Sequence, residues 1–545
     1  TITGNIGTSN ALTSLDINQS AGTGNITLSG DIGTSSATGA GVTRLGNNGL
    51  TGTITFGGAD YNTSGAQTYK ADAYSMTGTD PDFATDNDNI GFEDGPITLA
   101  TAADLTVDTG SGTTGNISIE GAIAGTSGGG TTTVTLEAGS GTVGVAGMGT
   151  DIGNVTIDGS GGVTLNGSIT TSAGNIDIND AATLATGAIT LTTANGSVDF
   201  ASTLNGTQNL TISSGSGAVG LNGVIGGSQT LGTLTINAAS ASNTSSGVIT
   251  IEDIGDGNTI GAGATNIGNT NTTDLNLIGD TYKHGAAVYT AASGNTIDLT
   301  DGAGNVTFTL SNASLEFAGG NIELSNGSDL VVGTGTGNIT AVGIVGNSYE
   351  DVTLTTSGTL TIGTGGIGSG TTIEDINLDG GSIVLQGDIV TSATGGTKAD
   401  VDFDGAVVID GAISITTDVS GGDGDDGKID FSTTINAEGN GTDSLTLNSA
   451  AGTITLGGVI GGGTALDALT IDATALTISN NITTANGLID INAPVTLGGD
   501  IVIDSGSGTG NVEFSSTITG GQALDILSGS GNVIITGNIG ATALT

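Results

Sequence analysis

Apolar and small polar residues alternate along nearly the whole chain. Short runs such as "GNITL" (24–28), "GNVTI" (153–157) and "GNVEF" (510–514) place an aliphatic or aromatic residue at every second position. Because successive side chains of a strand point to opposite faces, strict alternation indicates β-strands with one buried and one solvent-facing side. The chain is therefore predicted to be all-β, with many short strands.

The alternating runs recur at a regular spacing. Gly153, Gly174 and Gly196 open equivalent runs that are almost evenly spaced, and each interval holds two further alternating runs. Three short strands joined by Gly, Asn and Ser corners make one coil of a solenoid, and neighbouring coils stack about 4.8 Å apart. We predict a right-handed parallel β-helix (a β-solenoid) of about 21–22 residues and three strands per coil, with about 25 coils in 545 residues.

Longer tandem repeats are superimposed on the coils. Passages 163–236, 384–471 and 476–545 read as copies of one module. The aromatic residues at equivalent positions, which we expect to point into the core, are Phe200, Phe431 and Phe514. The Asn that often follows the first Gly of a run is expected at a corner, where its side chain hydrogen-bonds to the equivalent Asn of the next coil as a ladder.

These repeats divide the chain without a flexible linker. We predict super-repeat 1 at residues 1–222, super-repeat 2 at 223–457 and a partial super-repeat 3 at 458–545, in one continuous rod. The phrase "ITGNIG" occurs at both 2–7 and 535–540, which favours a segment of a longer chain. Uncovered strand edges present unpaired backbone groups. The expected partners are therefore further repeats of the same chain, or other copies in end-to-end and lateral self-association.

The charge excludes several classes of partner. The formal net charge is −48, and only five residues are basic. Nucleic-acid binding and attraction to anionic lipid need clustered Lys or Arg, so neither is expected. No apolar run is long enough to cross a bilayer, so direct membrane insertion is not expected. A solvated acidic surface in a salty exterior fits this composition.

Two passages resemble a known family. "FASTLNGTQNLTISSGSGAVGLNGVIGG" (200–227) and "FSSTITGGQALDILSGSGNVIITGNIG" (514–540) are similar to repeats of filamentous-haemagglutinin-like and autotransporter-like bacterial surface adhesins. That family has right-handed parallel β-helix passengers. The resemblance implies an extracellular or cell-surface location, a stalk or adhesive role, and a cell-surface or glycan ligand.

The expected function is that of a non-enzymatic extracellular structural rod or stalk of a large adhesin-like cell-surface or matrix protein. The first alternative is a self-assembling filament, sheath or surface-layer subunit. The second is a polysaccharide-processing β-helix enzyme, which would need paired carboxylates beside a sugar platform. Aromatic residues are only 3% of the chain, and the single histidine, His284, is interpreted as a loop residue rather than a catalyst.

Two acidic stretches are candidates for calcium, the one cofactor considered. Clustered carboxylates and loop carbonyls suit a hard cation. The competing interpretation, which we prefer, is a pair of solvated acidic loops. The candidate ligands are Asp80, Asp82, Asp86 and Asp88 in the first stretch, and Asp423, Asp425 and Asp426 in the second.

Five of the six tyrosines fall in two stretches, 56–92 and 280–289. These stretches are expected to form larger loops or widened coils on one flank of the solenoid. Loops that project from a scaffold often carry binding residues, and an aromatic stripe on the outside would favour lateral assembly. The alternative is that the rings pack locally and hold each loop in place.

Overall fold

The computed structural model is an all-β, parallel β-solenoid of about 20 turns. In the part of the chain that it describes, strands are the only regular elements, and no helix is long and apolar enough to cross a membrane. The described residues are 1–20, 23–34, 39–100, 103–112, 114–126, 130–238, 245–300, 304–369, 373–392, 399–417, 427–449 and 452–540. The predicted fold class is confirmed.

The coil length varies more than the sequence spacing predicts. Ile176 pairs with Val198 and Val198 with Val219, and both steps match the predicted coil length. The next step, from Val219 to Ile249, is much longer. Loops inserted at the corners lengthen such coils, so the chain makes about 20 turns rather than the larger number predicted.

The chain divides into two compact units, Thr1–Leu275 and Asn276–Thr545. The boundary between these units does not test the three predicted super-repeats, which stay a prediction. The strands of unit 1 are β1 Leu12–Ile17, β2 Ile26–Leu28, β3 Ala40–Gly46, β4 Thr53–Phe56, β5 Asp60–Asn62, β6 Gln67–Ala71, β7 Ala73–Met76, β8 Asp82–Ala84, β9 Ile90–Asp94, β10 Ile97–Leu99, β11 Leu105–Asp108, β12 Ile117–Ile119, β13 Ile123–Gly125, β14 Thr132–Glu137, β15 Thr142–Val145, β16 Ile152–Asp158, β17 Gly162–Leu165, β18 Ile169–Thr170, β19 Ile176–Ile178, β20 Ala182–Leu184, β21 Ile189–Thr192, β22 Val198–Phe200, β23 Leu204–Gly206, β24 Leu210–Ser213, β25 Val219–Leu221, β26 Leu234–Ile236, β27 Ile249–Ile251 and β28 Thr265–Gly268.

Strand β29, Leu275–Leu277, spans the boundary between the units. The strands of unit 2 are β30 Thr281–His284, β31 Ala287–Thr290, β32 Thr296–Leu299, β33 Asn305–Leu310, β34 Leu315–Ala318, β35 Asn321–Leu324, β36 Asp329–Gly333, β37 Ile339–Val345, β38 Glu350–Ile367, β39 Ile373–Leu385, β40 Ile389–Val390, β41 Val401–Ile409, β42 Ala412–Thr416, β43 Ile429–Phe431, β44 Ile435–Ala437, β45 Ser444–Asn448, β46 Thr453–Leu456, β47 Leu469–Asp472, β48 Ala475–Ile478, β49 Ile482–Thr483, β50 Ile489–Asn492, β51 Val495–Leu497, β52 Ile501–Asp504, β53 Val512–Phe514, β54 Ile518–Thr519, β55 Leu524–Leu527 and β56 Val533–Ile535.

The core of each unit is a stack of equivalent inward-facing residues. In unit 1, Ile176 lies between Val155 and Val198 of the neighbouring coils, and all three side chains are buried. The intervening outward residues are polar, as the alternation predicts. The three phenylalanines predicted to face inward do so, since Phe200, Phe431 and Phe514 are each at most 2% exposed.

The corners satisfy the buried polar groups that interrupt this core. A buried hydroxyl at the end of a strand donates to the carbonyl of a glycine three residues later, as in Ser214 to Gly217 (2.6 Å) and Thr334 to Gly337 (2.6 Å). These glycines also permit a close approach of the coils, because a Cβ on Gly196 would lie 2.1 Å from the carbonyl oxygen of Gly174. The recurrent glycine is therefore a packing requirement at this corner.

The tyrosine-rich stretches are packed inside the coils. In unit 1, Tyr61, Tyr69 and Phe83 surround Phe56 with ring-centroid distances of 4.9 to 5.0 Å. In unit 2, the five rings of Tyr282, His284, Tyr289, Phe308 and Phe317 form a second cluster. All five tyrosines in these stretches are at most 1% exposed. The local-packing alternative is thus confirmed, and the idea that these tyrosines form an external aromatic stripe is wrong.

Truncating Phe431 to alanine should locally destabilise the solenoid. Its ring stacks on that of Phe403 with a centroid distance of 4.4 Å, and loss of a buried Phe side chain costs about 3–5 kcal/mol. Because each coil contacts mainly its neighbours, the loss should appear as faster amide hydrogen exchange in β41, β43 and β46. The control Thr455→Ala, on the outer face of β46, should change exchange little. Wild-type exchange in Phe431→Ala would contradict the inward register.

Candidate functional site

The first group of predicted calcium ligands does not converge on one point. The carboxylate of Asp80 accepts the backbone N–H of Asp104 at 3.1 Å. Asp86 accepts a hydrogen bond from the side chain of Asn87 at 2.9 Å, and Asp88 is exposed. In the ranges given above for the described chain, no three acidic or histidine side chains are grouped so as to hold one metal ion.

Asp82 belongs to a different arrangement. It lies on β8 in register with Asp60 of the preceding coil. Burial raises the pKa of the Asp82 carboxyl, and the charges of Asp60, Asp108 and Glu137 raise it further. Asp82 is therefore linked electrostatically to carboxylates that are far away in sequence.

These carboxylates form the acidic column of unit 1, which we define as Asp108, Glu137 and Asp158. Asp108 is in register with Glu137, and Glu137 with Asp158, on three successive coils. The column lines an open groove of about 210 Å³, whose other walls include Gly110 and Gly139. Because glycine adds no side chain, the carboxylates are accessible from solvent.

Burial and neighbouring carboxylates raise the pKa of two members of the column, Glu137 and Asp158. Partial burial raises the pKa of Glu137, and the charges of Asp108 and Asp158 add to the effect. The pKa of Asp158 is also raised, first by burial and then by a hydrogen bond and charge repulsion from Asp180. Two hydrogen-bonded carboxyl groups such as those of Asp158 and Asp180 favour the form in which one of them is protonated.

Unit 2 carries a wider arrangement, which we call the acidic face. It occupies the outer side of β38, β39, β41 and β43, where Asn377 is in register with Asp402 and Asp402 with Asp430. Parallel strands of this kind lie about 4.8 Å apart, so the side chains form a grid. Its members are Asp351, Asp375, Asp379, Asp400, Asp402, Asp404 and Asp430.

One row of the acidic face is a hydrogen-bonded carboxylate ladder. Asp351 accepts the backbone N–H of Asp375 at 3.1 Å, and Asp375 accepts that of Asp400 at 2.8 Å. Asp400 in turn accepts the N–H of Lys428 at 2.8 Å. Each carboxylate thus connects its own coil to the next and satisfies a backbone donor at the corner.

The ladder holds like charges side by side. Partial desolvation is the main cause that raises the pKa of Asp375 to about 6, and neighbouring carboxylates, led by Asp351, contribute to the shift. The pKa of Asp351 is raised for the same reasons. The ammonium group of Lys428 relieves the repulsion at the other end of the acidic face, where Nζ lies 2.6 Å from Oδ1 of Asp402.

The chemistry that the shifted carboxyl groups of both arrays support is the binding of protons. All nine phenylalanines and five of the six tyrosines are buried, and only Tyr349 is partly exposed, so the groove at the acidic column has no aromatic platform for a sugar. His284 lies on strand β30 rather than in a loop, and it is buried. Its Nε2 accepts from Tyr289 at 2.7 Å and its Nδ1 faces the Gly285 carbonyl.

The second predicted calcium group, Asp423, Asp425 and Asp426, lies outside the described residues. Calcium at either stretch therefore stays a prediction. The sequence interpretation missed the acidic face, although the repeated phrases "INLDG" (376–380) and "VDFDG" (401–405) place aspartates at equivalent strand positions. The alignment of these aspartates from one coil to the next is the sequence signal that indicates the acidic face.

No family model matches the chain, and neither the curated proteins nor the solved structures contain a significant match.

The raised carboxyl pKa values predict that stability increases as the solution is mildly acidified. A carboxyl with a higher pKa in the folded chain contributes stability below its unfolded value, near 3.8, and loses it as the pH rises through the folded value, about 6 for Asp375. Asp375→Asn keeps an oxygen for the N–H of Asp400 and removes one charge. The variant should melt a few degrees higher at pH 7 and gain less on acidification to pH 5 than the wild type.

Asp88→Asn, in an exposed loop outside both arrays, is the matched control and should preserve the wild-type pH dependence. The two chains must be compared at equal pH, because burial lowers the pKa of His284 to about 4 and its contribution falls with acidification. Identical melting curves of Asp375→Asn and wild type across this range would show that the ladder charges do not repel.

Proposed function

We propose that the chain is a non-enzymatic extracellular structural rod, a stalk of a large adhesin-like cell-surface or matrix protein. The observation that supports it most directly is the repetition of one packing solution, in which inward residues such as Ile176, Val198 and Val219 stack coil upon coil. Each coil contacts mainly its neighbours, so length is set by the number of coils. Such a design suits a spacer.

The surface chemistry supports an exterior location. With a net charge of −48, the chain repels other anionic polymers and surfaces at short range, while salt outside the cell screens that repulsion. The negative charge of the acidic face also raises the concentration of counterions near it. A cell-surface or glycan ligand is the expected partner class for the adhesive role.

A self-assembling filament, sheath or surface-layer subunit is the alternative. In that case the partners are further copies of the chain, added end to end or side by side. Sedimentation velocity distinguishes the two functions: a spacer stays monomeric as its concentration is raised, whereas a subunit forms larger species. A polysaccharide-processing enzyme is the weaker alternative, because the carboxylates of the acidic column have no exposed aromatic side chain beside them.

Deleting whole coils should shorten the molecule without unfolding it. Removal of residues 155–218 joins Asn154 to Val219 and takes out three complete coils, because Val155, Ile176, Val198 and Val219 are successive register partners. At about 4.8 Å per coil, the maximum dimension from small-angle X-ray scattering should fall by about 14 Å. Displayed from a membrane by an added anchor, a terminal epitope should move closer to the membrane by the same amount.

Removal of residues 155–207 is the matched control. It takes out a similar length but leaves a partial coil, so strands would meet corners and the inward pattern would be lost. This variant should be unfolded around the junction. A three-coil deletion that unfolds, or that keeps the original maximum dimension, would contradict the proposed spacer.

A further inference from the structure

Five asparagines, on five coils and in more than one sheet of the solenoid, share the same local setting, in which Oδ1 accepts a backbone N–H of the following coil. Each precedes an inward-facing Ile or Val and is followed, two residues later, by an outward-facing Thr or Ser. The five tripeptides are Asn25–Ile26–Thr27, Asn116–Ile117–Ser118, Asn154–Val155–Thr156, Asn338–Ile339–Thr340 and Asn481–Ile482–Thr483. All five asparagines are exposed.

The side-chain oxygen of each asparagine is used by the fold. Oδ1 of Asn154 accepts the backbone N–H of Asn175 at 2.9 Å, and Oδ1 of Asn116 accepts that of Thr142 at 2.8 Å. The same bond, made to the coil that follows, occurs at the other three positions, where the acceptors are Asn25 (3.0 Å), Asn338 (3.0 Å) and Asn481 (2.8 Å). The bond between Asn154 and Asn175 joins asparagines at equivalent positions, as the sequence predicts, whereas the donor at the other four positions is the backbone of a Thr or Val.

The side-chain nitrogen is left free by the same arrangement. In the described part of the chain, Nδ2 of these five asparagines donates no hydrogen bond, and each side chain is open to solvent. Residues i and i+2 of a strand point to the same face, so Nδ2 and the hydroxyl of the Thr or Ser are presented together. Asn-x-Ser/Thr in this exposed form is the acceptor tripeptide of N-glycosylation.

We propose that these five ladder asparagines are acceptor sites for N-linked sugar. The substrate class is a sugar activated as a nucleoside diphosphate or lipid diphosphate, delivered by a separate transferase. Nδ2 forms a bond to C1 of the sugar, the bond from C1 to the diphosphate oxygen breaks, and one Nδ2 proton passes to a base of the transferase. The biological relevance of the modification rests on the proposed extracellular function.

The geometry makes the modification compatible with the fold. The glycosylated amide keeps its oxygen, so the ladder bond from Asn175 to Asn154 is retained. Removal of the side chain has the opposite effect, because the N–H of Asn175 then loses its partner. A sugar on Asn154 should therefore leave the melting temperature nearly unchanged, whereas Asn154→Ala should lower it.

The chain contains two controls of its own. Asn175 occupies the next rung of the ladder, is exposed and accepts the N–H of Ser197 at 3.0 Å, but Asp177 stands where the hydroxyl residue is needed. Asn62–Thr63–Ser64 has the tripeptide, yet Asn62 is only 6% exposed. The first control lacks the hydroxyl, and the second lacks access.

The test uses the purified, folded full-length chain with uridine diphosphate glucose and a soluble asparagine N-glycosyltransferase. The transferase is selected beforehand because it modifies synthetic peptides 150–160 and 58–68. Peptide mapping by mass spectrometry should find hexose at Asn154 and none at Asn175 or Asn62. Thr156→Ala should abolish the modification at Asn154, and Asp177→Thr should create it at Asn175.

Two results would overturn the proposal: an unmodified Asn154 in the folded chain despite modification of its peptide, or equal occupancy of Asn62 and Asn154. Failure of Asp177→Thr to gain sugar at Asn175 would show that the ladder position does not present Nδ2. The reaction is carried out on purified protein, so these outcomes do not depend on whether the chain is a spacer, which the coil deletion tests separately.

Discussion

The in-register stacking of equivalent residues on successive parallel coils is the interaction on which every other feature of this protein depends. Each inward aliphatic side chain, such as Ile176, is buried by its counterparts on the coils that flank it. A slip of one residue would turn this side chain to solvent and bring polar neighbours inside. The hydrophobic stack therefore fixes the register, and the register places everything that lies on the outside.

The outer surface follows from that register. Carboxylates at equivalent strand positions become columns and grids, as on the acidic face, and corner side chains become ladders. Repetition has a cost, because a charge placed on every coil is repelled by its own copies, which is one cause of the raised pKa of Asp375. Asparagine at the corner makes the same backbone hydrogen bond without charge, as Asn154 does for Asn175. The two ladder types present different groups to the solvent: the carboxylate ladder presents groups that bind protons, and the asparagine corners present a free amide nitrogen.

The sequence predicts the fold class because its evidence is local and repeated. Alternation determines which residues face inward, and this is why the burial of Phe200, Phe431 and Phe514 could be predicted. The number of coils was overestimated, because the length of inserted loops, as between Val219 and Ile249, does not follow from the period of the regular coils. The tyrosine stretches show the same limit, because their rings lie in the core rather than in projecting loops.

The acidic arrays could not be recognised from any one stretch of sequence. The interval from Asp108 to Glu137 is longer than that from Glu137 to Asp158, and only the lengths of the coils between them put the three on one column. The predicted calcium residues were chosen for closeness in sequence instead, and the pKa of Asp82 is raised by burial and by the charges of Asp60, Asp108 and Glu137, which are distant in sequence. In a solenoid, closeness along the axis is set by register, and local clustering is a poor guide to it.

The register itself can be measured with engineered disulfides, because the chain has no cysteine. Thr446 and Thr470 are outward-facing register partners on β45 and β47, about 4.8 Å apart, within the range that a disulfide spans. Thr446 and Asp472 lie on the same face but two residues out of register, at about 8 Å, which is too far. The account predicts that mild oxidation links the cysteine pair at 446 and 470 and leaves the pair at 446 and 472 reduced. Efficient linkage of the second pair and not the first would contradict the in-register parallel solenoid.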